Sequence, residues 1–532
     1  MSTRFMTVLG GLSVLAAMVI AHPTSLSQHC SNFPRPEIAG ASVLSISSAE
    51  LNNHTVAAFP PILNQDVVGI NVCEVNVTLS HPNANDTVHV QIWLPASKSE
   101  WNGRLISLGG SAWAAGHGPL TLAPYAAKGF AAISTDAGLD GNLLSPAGWA
   151  LKDDGMVNTE LLTNFASRSV HEMVVAGKQL AASYYQKPAA FSYWEGCSTG
   201  GRQGLVAAQQ YPGDFDGILA GAPAIYWTKY VVSELWPQVA MREAGYYPSA
   251  CEFQAARTAA VAACDELDGV KDGVISDLAK CSFNPFSLVG KKINCNGNEV
   301  VLSKQLASVV DKIWQGPKTS SGSPLWYGLN IGAPLDSLAA TLDANGTRVG
   351  DPFFVARDWV RYFVKADPEF AVQDIDSASL RNIFAESVAK FSDIIDSSSP
   401  DLAGFRRAGG KLLIWHGEAD NLIFTQDSIR YRDDVQKHLG NGYDIDQFFR
   451  LFLAPGVDHC GLGSIDGAVP TNSLESLVNW VENGKAPQEI AAASLPTAAS
   501  HFTRKLCQYP LVAKYDGKGD QTIAASYRCV RR

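Results

Sequence analysis

Ser198 stands at the centre of Gly196-Cys197-Ser198-Thr199-Gly200, a G-x-S-x-G pentad. The pentad alone is weak, because a glycine-rich turn can carry an incidental serine. Its neighbours give it meaning. Residues 191–194 (FSYW) read as a strand, and GRQGLVAAQQ after the pentad reads as a helix. A sharp strand-to-helix turn projects a serine hydroxyl, and the flanking glycines let the backbone close around it. Ser198 is therefore the candidate nucleophile, with Cys197 as its rival. The Thr199 N–H, at the helix start, is a candidate oxyanion donor. The second donor is expected from Leu108-Gly109-Gly110-Ser111: Gly110 is preferred, Ser111 is the alternative, and a plain glycine turn is the competing reading.

A serine hydroxyl needs a base, and the base needs an orienting acid. On an α/β-hydrolase sheet these follow in the order Ser, Asp or Glu, His. After the strand-like KLLIW comes His416-Gly417-Glu418-Ala419-Asp420, and after FFRLFL comes Val457-Asp458-His459-Cys460. Asp420 is preferred over Glu418 as the acid, and His459 is the base. Asp458 reads as a turn residue. His416 and His171 read as structural histidines. Cys197 precedes the serine and Cys460 follows the histidine, so a Cys197–Cys460 disulfide would staple the two loops together.

These residues require a scaffold. Strand-like runs at 88–94, 104–108, 129–134, 191–194 and 218–222 alternate with helical spacing, most clearly at 170–185. That rhythm predicts an α/β fold with a mostly parallel sheet. It breaks after residue 224 and resumes at 411–415 and 448–453. The expectation is an α/β-hydrolase core of residues 22–224 and 400–532, with residues 225–399 inserted as a large lid domain.

Residues 1–21 read as a signal peptide, with Arg4 as the positive end and cleavage after Ala21; a membrane anchor is the competing reading, but the apolar run is short of a span. Ten cysteines fit an oxidising compartment. Four sequons, at Asn53, Asn76, Asn85 and Asn345, are possible glycan sites. The net charge of −10 argues against nucleic acid or an anionic membrane surface as partner. A small-molecule substrate and a secreted protein are the expectations.

One more stretch is chemically loaded. Residues 264–274 (CDELDGVKDGV) can wrap a hard cation in carboxylate and carbonyl oxygens, or form two solvated Asp-Gly turns. It is no EF-hand, because the twelfth position from Asp265 is Ser276.

Together GCSTGGRQG, DFDGILAGAPA, CDELDGVKDGV, HGEAD, DHC and VNWVENGKAP resemble the fungal tannase and feruloyl esterase family over nearly the whole mature chain. The resemblance implies a serine esterase for small aromatic esters, with Ser198, Asp420 and His459 as triad. It implies a structural Ca²⁺ on Asp265, Asp268, Asp272 and the carbonyls of Val270 and Val274. It also implies the disulfides Cys264–Cys281, Cys30–Cys73 and Cys507–Cys529, which leaves Cys251–Cys295. The loop GGSAWAAGHG departs from the glycine-richer loop of type B feruloyl esterases, so a tailoring esterase or acyltransferase for a fungal metabolite is the alternative. A catalytically silent binding protein is the reading from another class. No organic cofactor is expected.

Overall fold

A computed structural model describes residues 30–440, 442–463, 466–496, 498 and 500–531. The expected signal segment, residues 1–21, lies outside them. The fold is built on a nine-stranded sheet. Its strands are β1 (Ser42–Val56), β2 (Val67–Ser80), β3 (Val88–Pro95), β4 (Arg104–Leu108), β5 (Ala131–Thr135), β6 (Phe191–Cys197), β7 (Gly217–Gly221), β8 (Lys411–Gly417) and β9 (Phe449–Ala454). They lie in the order β1-β2-β3-β5-β4-β6-β7-β8-β9. The first three and the β3–β5 pair are antiparallel, and every pair from β5 to β9 is parallel.

Alternation along each strand splits the core in two. Leu412 and Ile414 of β8 face one layer, and Leu413 faces the other. On the first face lie α2 (Ser169–Tyr185) and α3 (Thr199–Gln210); on the second lie α1 (Pro119–Ala126) and α10 (Ser473–Asn483). Because both faces are covered, β5 and β7 are buried at every residue. The strands expected from sequence are present within a few residues of their expected ends. β1 and β2 were not among them. Most of β1 is exposed and rich in Ser and Asn, so its alternation is faint.

Between β7 and β8 run five longer helices: α4 (Trp227–Ser233), α5 (Trp236–Ala244), α6 (Ala250–Cys264), α7 (Lys304–Gln315) and α8 (Ser377–Ile395). The ends of this insertion meet where the Ser397 N–H donates to the Ile225 carbonyl, 2.9 Å. The insertion is welded to the sheet layer by aromatic rings. Trp113, in the loop after β4, stacks on Phe363 at 5.5 Å and meets Trp227 edge-on at 5.6 Å; Trp149 and Phe165 complete the cluster. α9 (Thr425–Leu439) follows β8 on the core side. Asn53, Asn85 and Asn345 are exposed, and Asn76 is half-buried in β2. No helix among the described residues is long and apolar enough to cross a membrane.

Candidate active site

Ser198 lies between β6 and α3 with φ 62° and ψ −121°. A positive φ is strained for a residue with a Cβ, at a cost of roughly 1–3 kcal/mol. Three backbone bonds hold it: the Ser198 N–H donates to the Gly221 carbonyl, 3.0 Å, and the Ser198 carbonyl accepts from Arg202 and Ala224. The turn is so tight that a Cβ on Gly196 would come within 2.7 Å of the Gly200 Cα.

Asp420 and His459 come from the loops after β8 and β9. The His459 Nδ1–H donates to Asp420 Oδ2, 2.8 Å. The same oxygen accepts from His416 Nε2, 3.1 Å, while Asp420 Oδ1 accepts the N–H groups of Leu422 and Ile423 at 2.9 and 2.8 Å. Ser428 Oγ stands 2.8 Å from His416 Nδ1 and fixes that ring from behind. Burial works against the Asp420 charge, yet His459 and His416 outweigh it and hold the carboxyl well below the usual range. Burial likewise opposes protonation of His459, but the Asp420 carboxylate, by charge and hydrogen bond, lifts it above the ordinary imidazole value. His171 pairs instead with Asp214, 2.7 Å, and stacks on Tyr211.

Cys197 and Cys460 are disulfide-bonded, with Cα atoms 6.1 Å apart across 263 residues of sequence. The bond ties the serine turn to the histidine turn and removes Cys197 as a nucleophile. The other four bridges are Cys30–Cys73, Cys251–Cys295, Cys264–Cys281 and Cys507–Cys529, and no described cysteine is free. Ser198, Thr199, His459 and the loop after β4 open on one cavity of about 530 Å³.

The expected second oxyanion donor requires correction. The Gly110 N–H already donates to Gln203 Oε1, 3.0 Å, so it is occupied. Gln203 Nε2 also donates to the Ala115 carbonyl, 3.1 Å, and the Gly200 N–H donates to the Gly110 carbonyl, 3.0 Å. These bonds clamp the loop onto α3. A Cβ on Gly110 would fall 1.9 Å from the Ala114 carbonyl oxygen, which explains the glycine there. The next amide, Ser111, lines the cavity, and its hydroxyl lies 2.9 Å from His117 Nε2. Burial pushes His117 down to about 4, so its ring is neutral at physiological pH.

The acidic loop is self-bonded. Asp265 accepts the N–H groups of Asp272 and Gly273, and Asp268 accepts that of Val270. Asp272 accepts from Val274 and from Arg504 Nη2, 2.6 Å. Among the described residues no three His, Cys, Asp or Glu side chains stand together as metal ligands. The donor chemistry is nevertheless all oxygen. Asp272 is raised first by burial and further by Asp268 and Asp265, while Arg504 alone opposes them. Three mutually repelling carboxylates against one guanidinium suit a hard cation.

Sequence reasoning missed Gln203 and His117. Gln203 lies inside the quoted GRQG and His117 inside GGSAWAAGHG, so only their partners were hidden.

The order of the parallel strands and the strained serine turn after β6 define an α/β hydrolase, and the Asp420–His459 pair from the loops after β8 and β9 meets the cavity that Ser198 lines. Residues 73–530 match the family model of tannase and feruloyl esterase. The chain belongs to that family, and it is a carboxylic ester hydrolase. It is 46% identical over 527 residues to a probable feruloyl esterase of Arthroderma benhamiae, with 98% of each chain covered. It is 31% identical to a probable feruloyl esterase B of Aspergillus clavatus, with 88% of each covered. Among solved structures, a tannin acyl hydrolase from Aspergillus niger superposes with TM-score 0.85 at 26% identity, covering 94% of this chain and 93% of that one. Feruloyl esterase B from Aspergillus oryzae gives TM-score 0.75 at 27% identity, covering 93% and 97%.

Proposed function

We propose that this chain hydrolyses small aromatic esters through an acyl-enzyme on Ser198. The observation that carries this is the Asp420–His459 hydrogen bond at the edge of the cavity that Ser198 also lines, with both loops tied by Cys197–Cys460. Apolar walls from Trp227, Phe353, Phe354 and Ile423 suit an aromatic acid. The relatives named for feruloyl and tannin esters support the same substrate class.

Ser198 Oγ attacks the ester carbonyl carbon as His459 Nε2 takes its proton. Asp420 holds the ring in the tautomer that presents Nε2 and stabilises the imidazolium that forms. The Thr199 N–H, at the first position of α3 where a helix offers it no acceptor, and the Ser111 N–H stabilise the oxyanion. His459 then protonates the departing alcohol. Water, deprotonated by the same nitrogen, attacks the acyl-enzyme and frees the acid.

The same reading includes residues 225–399 as the lid domain, export through the secretory pathway, and a structural Ca²⁺ on Asp265, Asp268, Asp272 and the carbonyls of Val270 and Val274. The ion would neutralise the acidic loop and take no part in the chemistry. Five disulfides and exposed sequons support export. The cation is tested by thermal melting: a chelator lowers the midpoint, Ca²⁺ restores it, and Asp268→Ala abolishes the response. An unchanged midpoint counts against Ca²⁺.

The activity is tested with methyl gallate, methyl ferulate, methyl caffeate and a short p-nitrophenyl ester, comparing wild type with Ser198→Ala. Serine-dependent turnover of a phenolic ester is expected. Turnover of the activated ester alone would move the substrate to a specialised metabolite. No serine-dependent turnover would overturn the reading.

A further inference from the structure

Glu195 has no task in the reaction above, although it stands on β6 just before the serine turn. Its cross-strand neighbours are Leu108 of β4 and Leu219 of β7. Both leucines belong to the apolar layer that packs α1 and α10 against the sheet, so a carboxyl between them is out of place. One carboxyl oxygen accepts from the Tyr125 hydroxyl. The other, Oε2, is buried and has no hydrogen-bond partner among the described residues. An unmet buried acceptor is costly, and a water molecule standing against it removes the cost.

Glu195 and Tyr125 are the two residues shared by the catalytic cavity and a second cavity of about 210 Å³. The second cavity runs along Leu219, Trp415 and Leu474, and Lys128, Thr471 and Glu475 in its wall are exposed. It therefore reaches solvent away from the mouth marked by Phe59 and Leu462, which line the catalytic cavity alone.

α1 lays polar groups along the same line. Thr121 and Tyr125 share one face of the helix, while Leu122, Ala123 and Ala126 turn to the apolar layer. His117 and Lys128 extend the polar face just before and just after α1. His117, Thr121 and Tyr125 line the catalytic cavity, and Tyr125 and Lys128 line the second. At the inner end His117 Nε2 meets the Ser111 hydroxyl, 2.9 Å. Burial, with Glu475 adding to it, pushes the Glu195 carboxyl above its ordinary range, against the Tyr125 hydrogen bond and the Lys128 charge. Protonation is thereby favoured, and a carboxylic acid both donates and accepts, as a file of water requires.

We propose that the second cavity is a rear entrance for water, with the Tyr125–Glu195 pair as its door and Glu195 Oε2 as the station from which the deacylating water reaches the acyl-enzyme. This rests on the esterase function proposed above. While the acyl group is on Ser198 it fills the apolar part of the cavity. Water entering there would forfeit its hydrogen bonds, whereas the rear route offers a partner at each step.

The test sets water against an alcohol too broad for the door. Acyl-enzyme formed from a short p-nitrophenyl ester is divided between hydrolysis and transfer to benzyl alcohol, which enters only by the mouth. Glu475→Cys places a thiol on the wall of the second cavity, where it can be modified selectively because no described cysteine is free. The thiol is capped as a methyl or a benzyl disulfide. The benzyl cap is expected to raise the ratio of benzyl ester to free acid several-fold over the methyl cap, while the p-nitrophenol burst keeps its rate. Both products come from one acyl-enzyme, so a general loss of activity leaves the ratio unchanged. Glu195→Leu is expected to shift the ratio the same way. Glu195→Gln, which keeps a donor and an acceptor, holds it near wild type. Equal ratios under both caps, or a wild-type ratio in Glu195→Leu, overturn the proposal. If wild type turns over no ester, the esterase reading fails, and the passage is then judged from a crystal structure. Ordered water running from Lys128 past Glu195 Oε2 into the catalytic cavity supports the rear entrance, and a dry second cavity overturns it.

Discussion

One oxygen of Asp420 holds two imidazoles at once, and this sets how the site answers to pH. His459 must be neutral to accept the serine proton. Because Asp420 raises it above 6.5, it stays protonated to higher pH, and the acid limb of kcat/KM lies above 6.5. Asp420→Asn removes the lifting charge. The limb is expected to move down and the rate to fall about 10⁴-fold, checked by a pH–rate profile. Gln203 allows a second prediction. Gln203→Leu leaves the buried Gly110 N–H unpaired and loosens the oxyanion loop; kcat should fall with little change in KM, by less than the about 10²–10³-fold cost of deleting a donor. Single-turnover kinetics would show the loss in acylation. At this scale the sequence exposes what local context marks: Ser198 by its glycines, His459 and Asp420 by the strands before them. It conceals what distance decides. Gly110 looks like a free donor until Gln203, 93 residues on, is folded against it.

The serine and histidine turns are separate elements, each short and each at the end of a different strand. What relates them is the Cys197–Cys460 bond. The double variant Cys197→Ser/Cys460→Ser is expected to lose about 2–5 kcal/mol of stability by denaturant unfolding, and a larger share of kcat than of KM. Loss of stability with full kcat would mean the strands alone set the geometry. The elements themselves were legible wherever both faces are buried, as in β5, β7 and β9, because such strands are near-continuous apolar runs, broken only by Arg450 in β9 and the polar end of β5. β1 escaped because one face meets water and its residues are polar, so its partner β2 gives it structure rather than its own composition.

Across the whole molecule, the insertion reads in sequence as a break in rhythm, and its ends meet at Ile225 and Ser397. Its fusion to the core was not legible, since the rings concerned, Trp113, Trp227 and Phe363, come from distant segments. In the wild type, core and insertion are expected to melt in one transition, and two resolved transitions would refute the weld; Trp113→Ala removes the ring that bridges them and is expected to cost about 3–5 kcal/mol. A roof fixed in this way bears on how the rate follows the physical state of the substrate. An enzyme whose site is uncovered only at an oil–water boundary accelerates once its ester exceeds the solubility limit. Here Phe59 and Leu462 already meet solvent at the rim of the cavity, and lifting the roof would drag buried tryptophans into water. The velocity should climb as a simple hyperbola with dissolved ester and pass the onset of droplets or micelles without a break.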